Sequence, residues 1–184
     1  MTSTSETAIH EYRFESLFRD NRTGILAYFL RRVEQKSDAA DLLAETFLVA
    51  WRKLETIPEV DTGRMWLFGA ARRVLANYHR HERIEHTLAG DLRQQIAVET
   101  ARRMGHPSGP FDDIIANALD ILSTDDREII ELSAWEQLTP AEIAGVLGMK
   151  PGAVRTRLHR IRRALAPRLI SAGYPATDHA DCTG

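Results

Sequence analysis

Cysteine is almost absent from this chain of 184 residues: Cys182 stands alone, in the polar run Asp181 to Gly184. One thiol cannot close an internal disulfide, and its neighbours make a structural metal site there a poor prospect. Long apolar runs are missing too. Stretches such as Ile25 to Leu30 fall far short of a membrane span, so no insertion into a bilayer is expected. Met1 to Thr7 is rich in serine and threonine, with neither a basic head nor an apolar core, which argues against a secretory signal and for the cytoplasm. A phosphate-cradling glycine loop, a nucleophile motif and an isolated carboxylate pair are all lacking. The chain is therefore expected to be no enzyme and to carry no cofactor. His79 and His81 lie two apart, about 200° around a helix, a poor pair for a metal even with His86 nearby.

Acidic residues are missing where they would matter most. From Ile143 to Thr177 there is no acid and there are seven Lys or Arg, whereas Asp112 to Glu142 holds nine acids against one base, Arg127. The formal net charge of −2 averages over this asymmetry. Such segregation predicts one surface suited to phosphates and another that repels them.

The pattern that is present has a helical period throughout. Phe14, Leu17, Phe18, Ile25, Ala27, Phe29, Leu30 and Val33 predict one helix or a broken pair. Asp38 is placed to cap a second helix carrying Leu42, Leu43, Phe47, Ala50, Trp51 and Leu54, which Pro58 should halt. A loop over Glu55 to Arg64 leads to a third helix, roughly Met65 to Arg83, with Leu67, Ala70, Ala71, Val74 and Tyr78 on one side. The breakers Gly105, Pro107, Gly109 and Pro110 mark a linker, although Asp91 to Arg103 could be partly helical. Beyond it, Ile114 to Leu122 and Ser123 to Trp135 predict two further helices. The expected fold is all-α: two helical domains, 10–85 and 112–170, joined by a flexible linker at 86–111 and followed by a tail at 171–184.

Thr139-Pro140-Ala141-Glu142 is a capping box with proline at the first helical position, a specific start signal. The short helix it opens should end at Gly148, in the left-handed conformation open to glycine. Pro151 then starts a last helix, to about Leu165, with Val154, Leu158, Ile161 and Leu165 on one face. Short helix, tight turn and longer helix, with small Ala144 at the close approach, make a helix-turn-helix. Its groove face is what the core leaves over. Arg155 and Thr156 are the first candidates for base edges, then His159 and Arg160, while Lys150, Arg157, Arg162 and Arg163 suit phosphates. A solvated basic helix would explain the arginines alone; the turn spacing and the capping box favour DNA.

The run Asp38-Ala-Ala-Asp41-Leu-Leu-Ala-Glu45-Thr-Phe47-Leu-Val-Ala-Trp51-Arg52, followed after a loop by Trp66-Leu67-Phe68-Gly-Ala-Ala71-Arg72, resembles region two of bacterial sigma factors of the extracytoplasmic-function (ECF) group. Asp125-Asp-Arg-Glu128 with the helix-turn-helix resembles region four of the same group. The resemblance implies a factor that binds core RNA polymerase and directs it to promoter DNA. It implies polymerase contact by Asp38, Asp41, Glu45, Phe47 and Trp51, and a base held by the loop Glu55 to Arg64. It places Arg64, Trp66, Arg72, Arg73, Asn77 and Arg80 along the minus-ten strand, with the last helix on the minus-thirty-five element. An anti-sigma partner is implied as well. The residues themselves leave other readings open: a buried core is the stronger one for Trp51 and Trp66, and a solvated face suits Asp41 and Glu45 equally. Ala71-Arg72-Arg73 and Asn77 also depart from the family's usual pattern, so no base preference carries over. The chain could instead be a stand-alone helix-turn-helix regulator, or a helical adaptor that leaves its basic face unused.

Overall fold

The structure is a computed structural model that describes residues 3–58, 62–89 and 112–173, and among these every regular element is helical. They form two compact units. The N-terminal unit contains α1 (Ser3–Leu30), α2 (Lys36–Arg52), a short 3-10 turn (Leu54–Thr56) and α3 (Gly63–Ala89). The C-terminal unit contains α4 (Asp112–Leu119), α5 (Thr124–Ala134), α6 (Pro140–Leu147) and α7 (Pro151–Ser171).

α1 is one uninterrupted helix rather than a broken pair. Phe14, Leu17, Phe18, Ile25, Tyr28 and Phe29 recur at separations of three, four or seven residues, one continuous stripe that needs no break. Tyr28, absent from the predicted set, is 1 % exposed, whereas Leu30 rides outside at 40 %. The stripe packs on α2 and α3. Phe47 sits edge-on to Phe14 and Phe18, with ring centroids 6.2 and 4.7 Å away, and Tyr28 meets Phe68 at 5.8 Å. Edge-to-face pairs of this kind add about 0.5–1.5 kcal/mol each beyond the area they bury. On α3 the predicted positions Leu67, Ala70, Ala71 and Val74 are all buried.

Asp38 does not cap α2. The helix begins earlier, with Gln35 at the cap and no side-chain bond there, and Asp38 stands in its first turn. Its carboxylate faces α3 instead, where the Tyr78 hydroxyl donates to Oδ2 at 2.6 Å. α2 ends at Arg52, before Pro58 acts, and the 3-10 turn follows, with Leu54 and Ile57 buried beneath it. Arg13 ties α1 to this segment by donating to the Ile57 carbonyl at 2.9 Å. Residues 59–61 of the predicted loop lie outside the described residues, and Arg64 already belongs to α3. Positions 86–89 of the predicted linker continue α3, while 90–111, the possible helix at 91–103 included, and 174–184 of the tail lie outside the described residues.

In the C-terminal unit α4 and α5 both pack on α7. Ile129, Leu132, Ile143, Val154, Leu158 and Ile161 form its core, each at most 2 % exposed. α7 runs on past the expected Leu165 to Ser171 with Pro167 inside it. A helical proline withholds one donor, from the Arg163 carbonyl here, and Arg163 lies on the exposed side where water can replace it.

Candidate nucleic-acid interface

The capping box is formed as the sequence predicts. The Thr139 amide donates to Glu142 Oε2 at 2.8 Å, and the Glu142 amide donates back to Thr139 Oγ1 at 3.3 Å. α6 ends at Gly148, whose φ of +67° is the left-handed conformation. The Met149 amide then reaches back to the Ala144 carbonyl at 2.9 Å, the six-to-one bond of a Schellman cap. Lys150 caps α7, and Pro151 follows in its first turn. Start, stop and restart are thus set by local hydrogen bonds.

Val154, Leu158, Ile161 and Leu165 all face the core. That commitment turns Lys150, Arg155, Thr156, His159, Arg160, Arg162 and Arg163 outward, and all are exposed. Arg155, His159 and Arg163 recur every four residues as one ridge; Gly152, Thr156 and Arg160 run beside it. Thr156 donates its hydroxyl to the Gly152 carbonyl at 3.0 Å, which restrains its rotamer. Arg162 lies at the edge, 3.4 Å from Ser133 Oγ. Gly152 is exposed and meets nothing within 4 Å where a Cβ would be.

Arg157 stands apart from the others. Its side chain is 25 % exposed and its Nε donates to Asp126 Oδ1 at 2.7 Å. Arg160 also reaches that carboxylate, from Nη2 to Oδ2 at 2.9 Å. The charge segregation of the sequence is therefore crossed in space where the acidic start of α5 meets the basic face of α7.

The N-terminal unit offers a second cationic row. On α3, Trp66, Arg73, Asn77 and Arg80 follow helical spacing along one side, with Arg72 adjacent. Arg72, Arg73, Asn77 and Arg80 are exposed and Trp66 is half-buried, so Trp66 is neither a sealed core residue nor a free stacking platform. Asn77 accepts from Arg80 at 3.3 Å, and the Arg64 guanidinium lies over the Phe68 ring at 5.4 Å. An open cleft of about 530 Å³ lies between α1 and the segment leading into α3, with Tyr12, Arg13, Asp20, Ile57 and Arg64 among its walls.

The outer face of α2 is acidic and apolar together. Asp41 and Glu45 are exposed, Leu48 is 55 % exposed and Trp51 41 %. Trp51, for which a buried core was the stronger reading, instead lies edge-on against His10 and Phe14 with one side open, at 4.8 and 5.0 Å between centroids. Phe47 corrects the expectation in the other direction: at 4 % exposure it belongs to the core and not to a surface. Asp38 is half-buried under Tyr78. Leu48, which the sequence reading passed over, was detectable as an apolar residue seven positions after Asp41, on the same face.

Among the described residues no group of three or more histidines, cysteines or acids could hold a metal. His79 instead lies 3.1 Å from Glu82. No described helix is long and apolar enough to cross a membrane.

Comparison with known proteins places both units. Residues 17–84 match the family described as Sigma-70 region 2, and residues 112–165 match Sigma-70, region 4. The ECF RNA polymerase sigma factor SigC of Mycobacterium tuberculosis is 32 % identical over 139 residues, which cover 74 % of this chain and 73 % of that protein. SigL of the same organism is 29 % identical over 160 residues, 86 % of this chain and 89 % of SigL. Among solved structures, CnrH in complex with the cytosolic domain of CnrY superposes with a TM-score of 0.58 at 25 % identity, covering 87 % of this chain and 88 % of CnrH.

Proposed function

This chain belongs to the extracytoplasmic-function sigma factors of RNA polymerase, and from that premise we propose how its two units divide the work of promoter recognition. The C-terminal unit reads the upstream minus-thirty-five element as duplex. The N-terminal unit binds core polymerase and helps open the downstream minus-ten element. The observation that carries this reading is α7: a locally capped helix whose apolar face is consumed by the core and whose opposite face presents Arg155, Thr156, His159 and Arg160 together.

In this reading Arg155 takes a base edge, since a guanidinium meets guanine at two points. Thr156 and His159 follow along the groove, and Lys150, Arg162 and Arg163 hold phosphates on either side. Arg64, Trp66, Arg72, Arg73, Asn77 and Arg80 guide the separated strand, as a cationic row with an aromatic at one end suits single-stranded DNA. The cleft beside Ile57 and Arg64 offers room for an extruded base, whose unpairing costs a few kcal/mol. Asp41, Glu45, Leu48 and Trp51 form the polymerase contact, with Phe47 holding α2 in place from within. Domain limits at 10–85 and 112–170 accommodate these roles. Polymerisation chemistry belongs to the core enzyme, so the chain acts as a non-catalytic subunit in the cytoplasm, where transcription takes place. CnrH was solved with a protein partner bound, and this chain is likewise expected to be held by an anti-sigma protein over its polymerase-facing surface.

Transcription in vitro with purified core polymerase on a genomic promoter library tests the reading. New start sites sharing an upstream and a downstream element are expected only when this chain is added. Duplex binding by the free chain with no new transcripts would favour a stand-alone regulator instead.

A further inference from the structure

Asp126 lies in the first turn of α5, its residue 9 % exposed and its amide donated to the Ser123 hydroxyl at 3.2 Å. Both of its carboxylate oxygens are engaged by α7, Oδ1 by Arg157 at 2.7 Å and Oδ2 by Arg160 at 2.9 Å. The nearest cation of its own helix does not compete, because Arg127 is drawn to Asp120 at 3.2 Å and Glu131 at 2.9 Å. The two arginines held by Asp126 are unequal. Arg157 is largely enclosed, with Asp125 a further 3.7 Å from its Nη2, whereas the Arg160 side chain is 67 % exposed.

We propose that Asp126 is a selectivity residue for DNA, which fixes Arg157 as a strut beneath α7 and holds Arg160 as an exchangeable cation, released to the nucleic acid only in the specific complex. This rests on α7 being the groove helix. A carboxylate oxygen and a phosphate oxygen compete for the same guanidinium with similar chemistry. A phosphate met at random must displace a well-placed carboxylate and leave it half-paired near the protein surface, so Arg160 adds little to loose attachment. In register, base contacts from Arg155 and its neighbours offset that cost. Asp126 thereby lowers non-specific affinity more than specific affinity, which raises the ratio that matters among many competing sites.

The test is a salt titration of the full chain on short duplexes of random sequence, comparing native protein with Arg162→Ala, Arg160→Ala, Asp126→Asn and the double variant Asp126→Asn/Arg160→Ala. Each phosphate neutralised contributes about one unit to the slope of log K against log salt. Arg162→Ala should flatten the slope by about one unit and Arg160→Ala by far less, because Arg160 is already occupied. Asp126→Asn should bind random duplex several-fold tighter with a slope steeper by about one, and the double variant should lose that gain. Equal flattening by Arg162→Ala and Arg160→Ala would overturn the proposal, and this comparison does not depend on the Asn variant folding. So would an Asp126→Asn protein of native helicity with unchanged slope, since a purely structural bridge would alter melting and leave the slope alone. A native chain whose duplex binding shows no salt dependence would instead sink the reading of α7 itself, and the clamp with it.

Discussion

The hydroxyl of Tyr78 on α3 donates to Asp38 Oδ2 on α2 at 2.6 Å, and lies 3.0 Å from Glu82 Oε1 one turn along its own helix. Burial, and then the two carboxylates, push the phenol's pKa well above its ordinary value. Tyr78→Phe should cost about 1–3 kcal/mol of stability, because a charged acceptor in a half-buried site loses its donor. The pH dependence has a definite sign. The folded protein holds the phenolic proton that the unfolded chain releases near pH 10, so stability is undiminished below that pH and falls as pH rises above it. Urea titrations across the alkaline range should show this decline in the native protein and a smaller one in Tyr78→Phe.

Two glycines of the helix-turn-helix should respond oppositely to alanine. Gly148 has φ +67° and nothing within 4 Å of an added Cβ, so Gly148→Ala meets backbone strain alone and should destabilise by about 1–2 kcal/mol. Gly152 lies within α7 with equally open space, and Gly152→Ala should stabilise by about 0.4–1 kcal/mol. Thermal unfolding of the pair separates the two effects. A loss of DNA affinity in the better-folded Gly152→Ala protein would show that the bare backbone there lies against DNA.

Arg155 and Arg162 should fail in different ways. Arg155→Ala is expected to cost about 1–3 kcal/mol and to relax one upstream base position. Arg162→Ala should weaken binding alike across sequences and flatten the salt dependence. Selection from a randomised promoter library, run with holoenzyme at two salt concentrations, reads both; the same sequence-independent loss from each would refute the division of labour.

Leu48 is open to a partner, and Leu48→Glu should leave folding within about 0.5 kcal/mol of native. Affinity for core polymerase should drop about tenfold or more, as when an apolar anchor is lost. Fluorescence titration with core polymerase measures it, and unchanged affinity would remove Leu48 from the contact.

What was legible in the sequence was local. Thr139 and Glu142 lie three residues apart, and Gly148 follows the last apolar position of its helix, so neighbouring atoms decide those caps. The stripe of Val154, Leu158, Ile161 and Leu165 is likewise fixed by helical period, and all four are buried. What was not legible were contacts between distant residues. Asp38 looked like a cap because its partner, Tyr78, is 40 positions away. Phe47 and Trp51 share one helix a turn apart, and the packing of α1 residues against them, Phe14 and Phe18 on the first and His10 and Phe14 on the second, is not visible in that helix's own sequence. The ion pair of Arg157 is hidden for the same reason, since Asp126 lies 31 residues before it. Periodicity tells which face of a helix is polar; it does not tell which polar residue is already taken.

The shared carboxylate on α5 also bears on how this protein could change over generations. Positions 126, 157 and 160 are joined by charge and geometry, so they are not free to drift one at a time. A lineage that neutralises Asp126 leaves two arginines in need of another anion, and one that loses Arg157 leaves a mostly enclosed carboxylate with a single exposed partner. The three sites should therefore be inherited as a unit and exchanged as a unit, and their joint identities across related chains would form a small alphabet of matched triplets.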